Sequence, residues 1–329
     1  MTKPWVSALA LSFVEEGTLS LLDPVEKYLP EFSGLRVGRE VGEGIVYEPL
    51  KRPLTVYDLL RHTAGLTYGV FFRSPVKGLY LEAGVDRFDL SREVFLERLA
   101  ALPLRFQPGE TFEYGLATDL LGHLLEALAG RSLAELLEER LFRPLGMKDS
   151  GFQAKDPARL AQPFPKDPET GHSLRLLPVE TPPPRYAGGM GGVGTAADYL
   201  AFLEALRLGR GALSPTMAGF MVQDHLGSLY PEALKRGPEY LPGPGYSFGL
   251  GVAVRVEPMG YSPGALGEWT WAGFGGTFFF VDPLQEITAL YLAQAPNLLS
   301  VLEPEKALHS RLGARLQHAF RTLVYPGLE

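Results

Sequence analysis

The sequence predicts an α+β fold, in which an antiparallel sheet is flanked by helices from both chain ends and a mostly helical segment is inserted between them. Three observations carry this prediction. The chain opens with apolar residues at helical spacing, its middle contains several helical patterns, and two β-rich runs separated by a turn precede a last helix. We therefore expect a discontinuous sheet domain formed by residues 1–24 and 246–329, and a helical domain formed by residues 25–245.

The first element is predicted to be a half-buried helix over residues 4–16, with Gly17 as its cap. Lys3 ahead of an apolar stretch also resembles a signal peptide. Ser7 and Ser12 interrupt that stretch, so we favour a structural helix and a cytoplasmic protein. The apolar residues that recur at helical spacing are Val6, Leu9, Ala10, Phe13 and Val14.

The middle of the chain is predicted to alternate helices with loops. Residues 17–52 are expected to be largely irregular, and residues 58–62 to form a short turn. Residues 153–187 are rich in proline and lack periodicity, so we expect long loops that wall a site. Helices are predicted from their apolar spacing and from caps such as Ser91, Gly130 and Thr195, over residues 91–102, 116–129, 132–141 and 195–208.

The end of the chain is predicted to form an antiparallel hairpin followed by a helix. Residues 277–281 and 287–293 are rich in β-formers, and Asp282-Pro283 supplies the turn chemistry between them. Residues 304–324 are expected to form the final helix.

Composition excludes several classes of protein. The chain of 329 residues has 31 basic and 38 acidic residues and a net charge of −7, which argues against a nucleic-acid partner. The absence of cysteine excludes disulfides, cysteine nucleophiles and thiolate metal sites. No run approaches the roughly 18 apolar residues of a membrane span. The six histidines are scattered, so no metal or other cofactor is expected, and the 28 prolines hint at a heat-adapted source. The oligomeric state is not indicated.

A glycine-rich segment at residues 189–194 matches the pattern G-x-G-x-x-G and precedes a predicted helix. The residues before it, which include Pro182-Pro183-Pro184, do not form a predicted strand, and no βαβ unit surrounds the glycines. We therefore expect a glycine-lined wall of a cleft, in which Gly191 contacts substrate, rather than a nucleotide site.

A serine nucleophile needs a nearby base, and Ser-x-x-Lys on a helix supplies one because residues i and i+3 share a face. The one match in the chain is Ser74-Pro75-Val76-Lys77. Pro75 suits a helix start, but no periodic apolar run follows, so we expect a surface loop there. No G-x-S-x-G elbow is present.

Other motifs resemble those of the serine β-lactamase-like family, which includes class C β-lactamases, penicillin-binding proteins and related esterases. Their order and spacing agree over nearly the whole chain. The matching segments are residues 1–4, 15–21, 23–30, 59–66, 108–110 with Tyr114, 144–147, 271–273 and 280–283. The resemblance implies a β-lactamase/transpeptidase-like fold, with the active site between the sheet domain and the inserted helical domain.

The resemblance also implies roles for individual residues. Lys3 matches the lysine of Ser-x-x-Lys, Tyr114 the tyrosine of the second motif, and Trp271-Ala272-Gly273 the third motif on a strand that lines the cleft. The backbone N–H of Phe274 would then form half of an oxyanion hole. Burial favours the neutral form of a lysine, which makes it a base, and a neighbouring tyrosine can pass a proton onward.

The nucleophile of the family is not in the sequence. The position three residues before Lys3 falls immediately before Met1, and family members carry further upstream residues that supply a helix and sheet strands. We expect a serine hydrolase whose chain is shortened at its N-terminus. Two alternatives stay open: an inert pseudoenzyme that binds a ligand or partner, and rescue by another hydroxyl such as Ser7 or Ser74.

The third motif also bears on the substrate. β-Lactamases and transpeptidases usually place Lys or His there to meet a carboxylate, whereas Trp271 offers no cation. Ala272 and Ala64 replace the more common Gly and Ser. Aromatic residues expected to enlarge an apolar acyl pocket are Tyr68, Phe71, Phe72, Phe274 and Phe278. Small neutral esters are therefore the expected substrates, amides are also considered, and a β-lactamase or D-Ala-D-Ala peptidase is the alternative.

Overall fold

A computed structural model describes residues 1–166, 171, 173–174, 177–240, 242–258, 262–295 and 314–325. Of the predicted final helix, residues 304–313 lie outside the described residues, and the remainder forms the helix Ala314–Val324. Within the described ranges, none of the helices has both the length and the apolar character to cross a membrane. The α+β class, with antiparallel sheets and flanking helices, is confirmed.

Most of the helices lie in the first two-thirds of the chain. They are α1 (Lys3–Glu15), α2 (Val56–Leu60), α3 (Pro75–Ala83), α4 (Arg92–Ala100), α5 (Ala117–Ala129), α6 (Leu133–Leu137), α7 (Ala196–Leu208), α8 (Pro215–Met221) and α9 (Tyr230–Leu234). The predicted caps are confirmed: Ser91 and Thr195 each accept a hydrogen bond from the backbone three residues on, and Gly130 ends α5 in the left-handed region.

Strands form a hairpin and one larger sheet. The hairpin pairs β1 (Arg36–Val41) with β2 (Gly44–Pro49). The sheet is antiparallel, follows chain order, and contains β3 (Tyr246–Phe248), β4 (Ala253–Arg255), β5 (Trp269–Ala272), β6 (Phe278–Asp282) and β7 (Ile287–Tyr291). The predicted hairpin near the chain end is therefore confirmed as β6 and β7.

Helix α1 is buried on every side, so the prediction of a half-buried helix is wrong. All of its residues from Lys3 to Phe13 are buried, and α5, α6 and α8 pack around it. The serines that interrupt its apolar sequence do not face solvent: the Ser12 hydroxyl donates to the Leu9 carbonyl, and Ser7 packs against Gly251. Small polar residues in this helix thus hydrogen-bond to the preceding turn or fit where another segment packs closely. They do not mark an exposed face.

Residues 36–49 form the β1–β2 hairpin where the sequence predicts irregular chain. Glycines at positions 38, 42 and 44 and the exposure of most strand residues remove the alternating pattern that predicts strands. The hairpin is fixed instead by a distant segment, because the Gly38 N–H donates to the Leu104 carbonyl at 2.8 Å. A Cβ atom at Gly38 would lie 2.9 Å from Ile45 and 3.0 Å from Val76, closer than ordinary van der Waals contact, so a glycine fits here.

Residues 74–83 also differ from the prediction, because the Ser-x-x-Lys match lies at the start of helix α3 and not in a surface loop. Ser74 is the N-cap and accepts from the backbone N–H of Lys77, and Pro75 begins the helix. Val76 and Tyr80 are fully buried, so tertiary packing stabilises a helix that its own short apolar pattern does not predict.

The sheet is covered on both faces. Trp271, Phe279 and Val281 belong to the main hydrophobic core, which includes α1 and α7. Phe278 and Phe280 project to the opposite face, where the helix Ala314–Val324 packs on them. The β5–β6 register pairs Trp271 with Phe279 and Ala272 with Phe278, so Ala272 also faces away from the main core.

Candidate active site

Lys3 is the first residue of α1, and its ammonium group is buried. Its Nζ atom donates to the Tyr68 hydroxyl at 3.2 Å and to the Gly189 carbonyl at 3.0 Å. The neighbouring Thr2 hydroxyl accepts from the Gly192 N–H at 2.9 Å. The start of α1 is therefore held between the segment after α2 and the glycine-rich segment before α7.

Two tyrosine rings lie against the lysine, and a tryptophan packs behind one of them. Its Nζ atom lies 4.8 Å from the ring centroid of Tyr114 and 5.6 Å from that of Tyr68. The Tyr114 ring packs 5.5 Å from Tyr68 and 5.4 Å from Trp271. The structure thus brings together four residues that the sequence nominates for the site. Tyr68, nominated only as a substrate contact, is the tyrosine that hydrogen-bonds to Lys3.

The Tyr114 ring is backed by His62, which follows α2. The two ring centroids are 4.9 Å apart, and the Glu113 N–H donates to the His62 carbonyl at 2.8 Å. His62 has a φ of +54°, unusual for a residue with a side chain. Burial first, and then the charge of Lys3, lower the pKa of His62 well below its usual value. A neutral imidazole therefore supports Tyr114, with Nε2 3.4 Å from the Thr118 hydroxyl.

The third motif closes another side of the site. Trp271 packs against Tyr114 and also against Phe248, 5.2 Å away. The side chain of Ala272 points to the far face of β5, so only its backbone can border the cleft. A side chain at Gly273 would lie 3.2 Å from the Met1 backbone nitrogen, which places the start of the chain against this motif.

The aromatic residues expected to form an acyl pocket do not all face it. Phe71 packs edge-on against Tyr68 with centroids 5.6 Å apart, but Phe72 lies beneath the ammonium of Lys77. Phe274 is 54% exposed, and in the described part of the chain its backbone N–H has no hydrogen-bond acceptor. The expectation for Phe278 is wrong, because the alternation of β6 turns this ring to the opposite face of the sheet.

The glycine-rich segment lies directly against the start of α1 and the first turn of α5. A side chain at Gly188 would meet the Thr118 carbonyl at 2.1 Å, and one at Gly189 would meet Asp119 Oδ2 at 2.1 Å. A Cβ atom at Gly191, whose φ is +88°, would lie 3.0 Å from the Phe88 ring. Close backbone packing therefore accounts for these glycines without a bound phosphate.

A second buried lysine, Lys77, belongs to an ion network and not to a nucleophile pair. Its ammonium donates to the Phe71 carbonyl at 3.0 Å and lies 3.5 Å from Glu113 and 3.7 Å from Glu239. Burial lowers its pKa, although the two carboxylates act in the opposite direction. Ser74 caps α3 with its hydroxyl, so its geometry does not support it as a replacement nucleophile.

The buried carboxylate Asp119 was not predicted from the sequence. It lies in the first turn of α5, five residues after Tyr114, and pairs with the buried Arg185 at 3.4 Å. An acid in the first turn of a predominantly apolar helix was the available signal. Among the described residues, no group of three or more His, Asp or Glu side chains is arranged to hold a metal ion.

A buried lysine among tyrosines, at the start of a central helix and beside an antiparallel sheet, is the arrangement that the motif resemblance implies for serine β-lactamase-like proteins. The chain belongs to the beta-lactamase family, whose model matches residues 1–309.

Two of the relatives are named as esterases. The chain is 34% identical over 313 residues to esterase EstB of Burkholderia gladioli. The matched region covers 89% of this chain and 75% of EstB. The chain is 30% identical over 317 residues to lovastatin esterase of Penicillium rubens, covering 89% and 78% of the two chains. Among solved structures it resembles EstCE1, described as a hydrolase with promiscuous acyltransferase activity, with a TM-score of 0.72, 29% identity and coverage of 94% and 83%.

Proposed function

We propose that the protein is a serine hydrolase of the Ser-x-x-Lys type, which cleaves small neutral esters through an acyl-enzyme. The observation that carries the proposal is the placement of Lys3 Nζ, buried between the Tyr68 hydroxyl and the Gly189 carbonyl and next to the Tyr114 ring. The similarity to EstB and to lovastatin esterase supports an ester substrate.

The proposed nucleophile is a serine directly before Met1. That position lies one helical turn before Lys3, and residues three apart share a helix face. In the first step the serine O–H bond breaks, its proton moves to Lys3 Nζ, and Oγ bonds to the ester carbonyl carbon. The backbone N–H of Phe274 donates to the resulting oxyanion. The oxyanion then re-forms the carbonyl as the ester C–O bond breaks, and the proton on Lys3 passes through Tyr114 to the leaving alkoxide. Water hydrolyses the acyl-enzyme by the same path.

Trp271 supports neutral substrates. Its ring fills the place where a cation would meet the carboxylate of a β-lactam or a peptide, and it packs against Tyr114 and Phe248. An acyl chain beside these rings would bury apolar surface without placing a charge among them.

The test begins with the native gene, by reading the codons upstream of Met1 and expressing the protein extended through them. We expect a serine codon immediately before Met1 and hydrolysis of p-nitrophenyl butyrate by the extended protein. The matched controls are the same protein with that serine changed to alanine, and the 329-residue chain itself. Both controls are expected to be inactive, and only the serine form should become acylated, as seen by mass spectrometry of the intact protein.

Other outcomes of this experiment identify the alternatives. An in-frame stop codon or a different residue before Met1 would overturn the proposal. Tight binding of esters without turnover in every length variant would indicate an inert binding protein. Faster hydrolysis of nitrocefin than of the ester would indicate a β-lactamase.

A further inference from the structure

Asp119 is a buried carboxylate with one oxygen unused. Its side chain is inaccessible to solvent, and Oδ1 pairs with Nη1 of the equally buried Arg185 at 3.4 Å. Its Oδ2 atom has no hydrogen-bond partner within the described part of the chain. Native proteins seldom leave a buried charged oxygen without a partner, so this atom calls for a functional explanation.

The unused oxygen is directed at the backbone that holds Lys3. A Cβ atom placed on Gly189 would lie 2.1 Å from Asp119 Oδ2 and 3.2 Å from Lys3 Nζ. The Gly189 carbonyl accepts from Lys3 at 3.0 Å. The carboxylate and the ammonium therefore approach Gly189 from two sides, and any larger residue there would force them apart.

The other titratable groups around Lys3 do not supply a permanent negative charge. Tyr68 and Tyr114 are phenols, His62 is neutral, and Arg185 and the Met1 amino group are cationic when protonated. Asp86 is the remaining acid, and burial raises its pKa to about 7, with the charge of Asp119 acting in the same direction. The same charge, after burial, raises the pKa of Tyr68.

We propose that Asp119 is a positioning residue, which stabilises the cationic form of Lys3 across Gly189 and is itself anchored by Arg185. The inference rests on the proposed function, in which Lys3 becomes an ammonium when the nucleophile loses its proton. Asp119 takes no proton and contacts no substrate. It supplies a fixed charge where a positive charge develops, and burial makes that charge effective.

The test follows the titration of Lys3 independently of turnover. In protein labelled with ¹³C at lysine Cε, the Lys3 signal is assigned by its loss in Lys3→Met. In Asp119→Asn the Lys3 signal is expected to titrate about one pH unit lower than in the parent protein. In Arg185→Gln it should titrate higher, because the carboxylate is then less neutralised. Asp282→Asn is the matched control, since Asp282 is also buried but lies on β6, where it accepts hydrogen bonds from Tyr325 and Ala265.

In the extended enzyme, the acid limb of the kcat/KM profile should move in the same two directions, and Asp119→Asn should lower kcat about 10–100-fold with little change in KM. A merely structural role would lower activity without moving the limb. Unchanged Lys3 titration in both variants overturns this inference. Shifted titration in a protein without ester turnover overturns the proposed function instead. If Asp119→Asn does not fold, Arg185→Gln still tests the inference, because the Lys3 signal should then titrate at higher pH than in the parent protein.

Discussion

The ammonium of Lys3 donates a hydrogen bond to the hydroxyl of Tyr68 at 3.2 Å, whereas it meets Tyr114 through the face of its ring. The two tyrosines therefore have different relationships to the same lysine. Burial first, and then the charge of Asp119, raise the pKa of Tyr68 well above its usual value. Tyr68 consequently stays a neutral phenol that orients the lysine. In the described part of the chain no hydrogen bond occupies the Tyr114 hydroxyl, which leaves it available to the reacting groups.

This difference predicts unequal effects of two matched substitutions in the extended enzyme. Tyr114→Phe should lower kcat about 10²–10⁴-fold, the range for loss of a general acid–base group. Tyr68→Phe should lower it about 10-fold, because Lys3 keeps its bond to the Gly189 carbonyl. Initial rates with p-nitrophenyl butyrate measure both. Full activity of Tyr114→Phe would remove its proposed role, and a larger loss in Tyr68→Phe would exchange the two assignments.

Glu113 provides a second prediction, concerning stability. This buried residue precedes Tyr114, and its carboxylate lies 3.5 Å from Lys77, 3.2 Å from Arg105 and in contact with Arg236. Glu113→Gln keeps the shape but leaves buried cations with only Glu239 and Glu40 to balance them. We expect the free energy of unfolding to fall by about 3–5 kcal/mol.

Urea denaturation at pH 7 measures this loss. Glu139→Gln is a suitable control, because Glu139 forms an exposed ion pair with Arg131 and should have little effect on stability. A decrease for Glu113→Gln as small as that of the control would show that the network contributes nothing to stability.

The sequence predicts those features of the fold, such as helix ends, that depend on interactions between near neighbours in the chain. Ser91, Gly130 and Thr195 mark helix ends because capping involves neighbours within a few residues. The order of the motifs predicts that Lys3 and Trp271 lie near each other, and in the structure both contact the ring of Tyr114.

The features that were missed depend on contacts between distant residues. Helix α3 is stabilised by burial of Val76 and Tyr80, and the β1–β2 hairpin by a bond from Gly38 to Leu104. The approach of Asp119 to Gly189 spans about 70 positions and leaves no pattern in either segment. Apolar spacing and turn chemistry contain no information about such pairs.

The segment that carries Tyr68 gives a prediction about pH. Asp86 Oδ2 accepts from the N–H of Gly69 at 2.8 Å, which fixes the residue next to Tyr68, while its Oδ1 is buried without a partner in the described residues. Burial raises the pKa of Asp86 to about 7, although the Gly69 N–H acts in the opposite direction.

The folded protein therefore holds a proton on Asp86 that the unfolded chain releases near its usual pKa of about 4. Stability from this group is present at low pH and is lost as the pH rises from about 4 through about 7. In Asp86→Asn that loss should disappear, so the variant gains on the order of 2 kcal/mol over the parent between pH 5 and pH 8. Urea midpoints at the two pH values measure the gain.

Asp89→Asn, at an exposed residue paired with Arg87, is the control that should follow the parent. Parallel pH profiles for Asp86→Asn and the parent would mean that Asp86 is ionised at no cost in the folded protein.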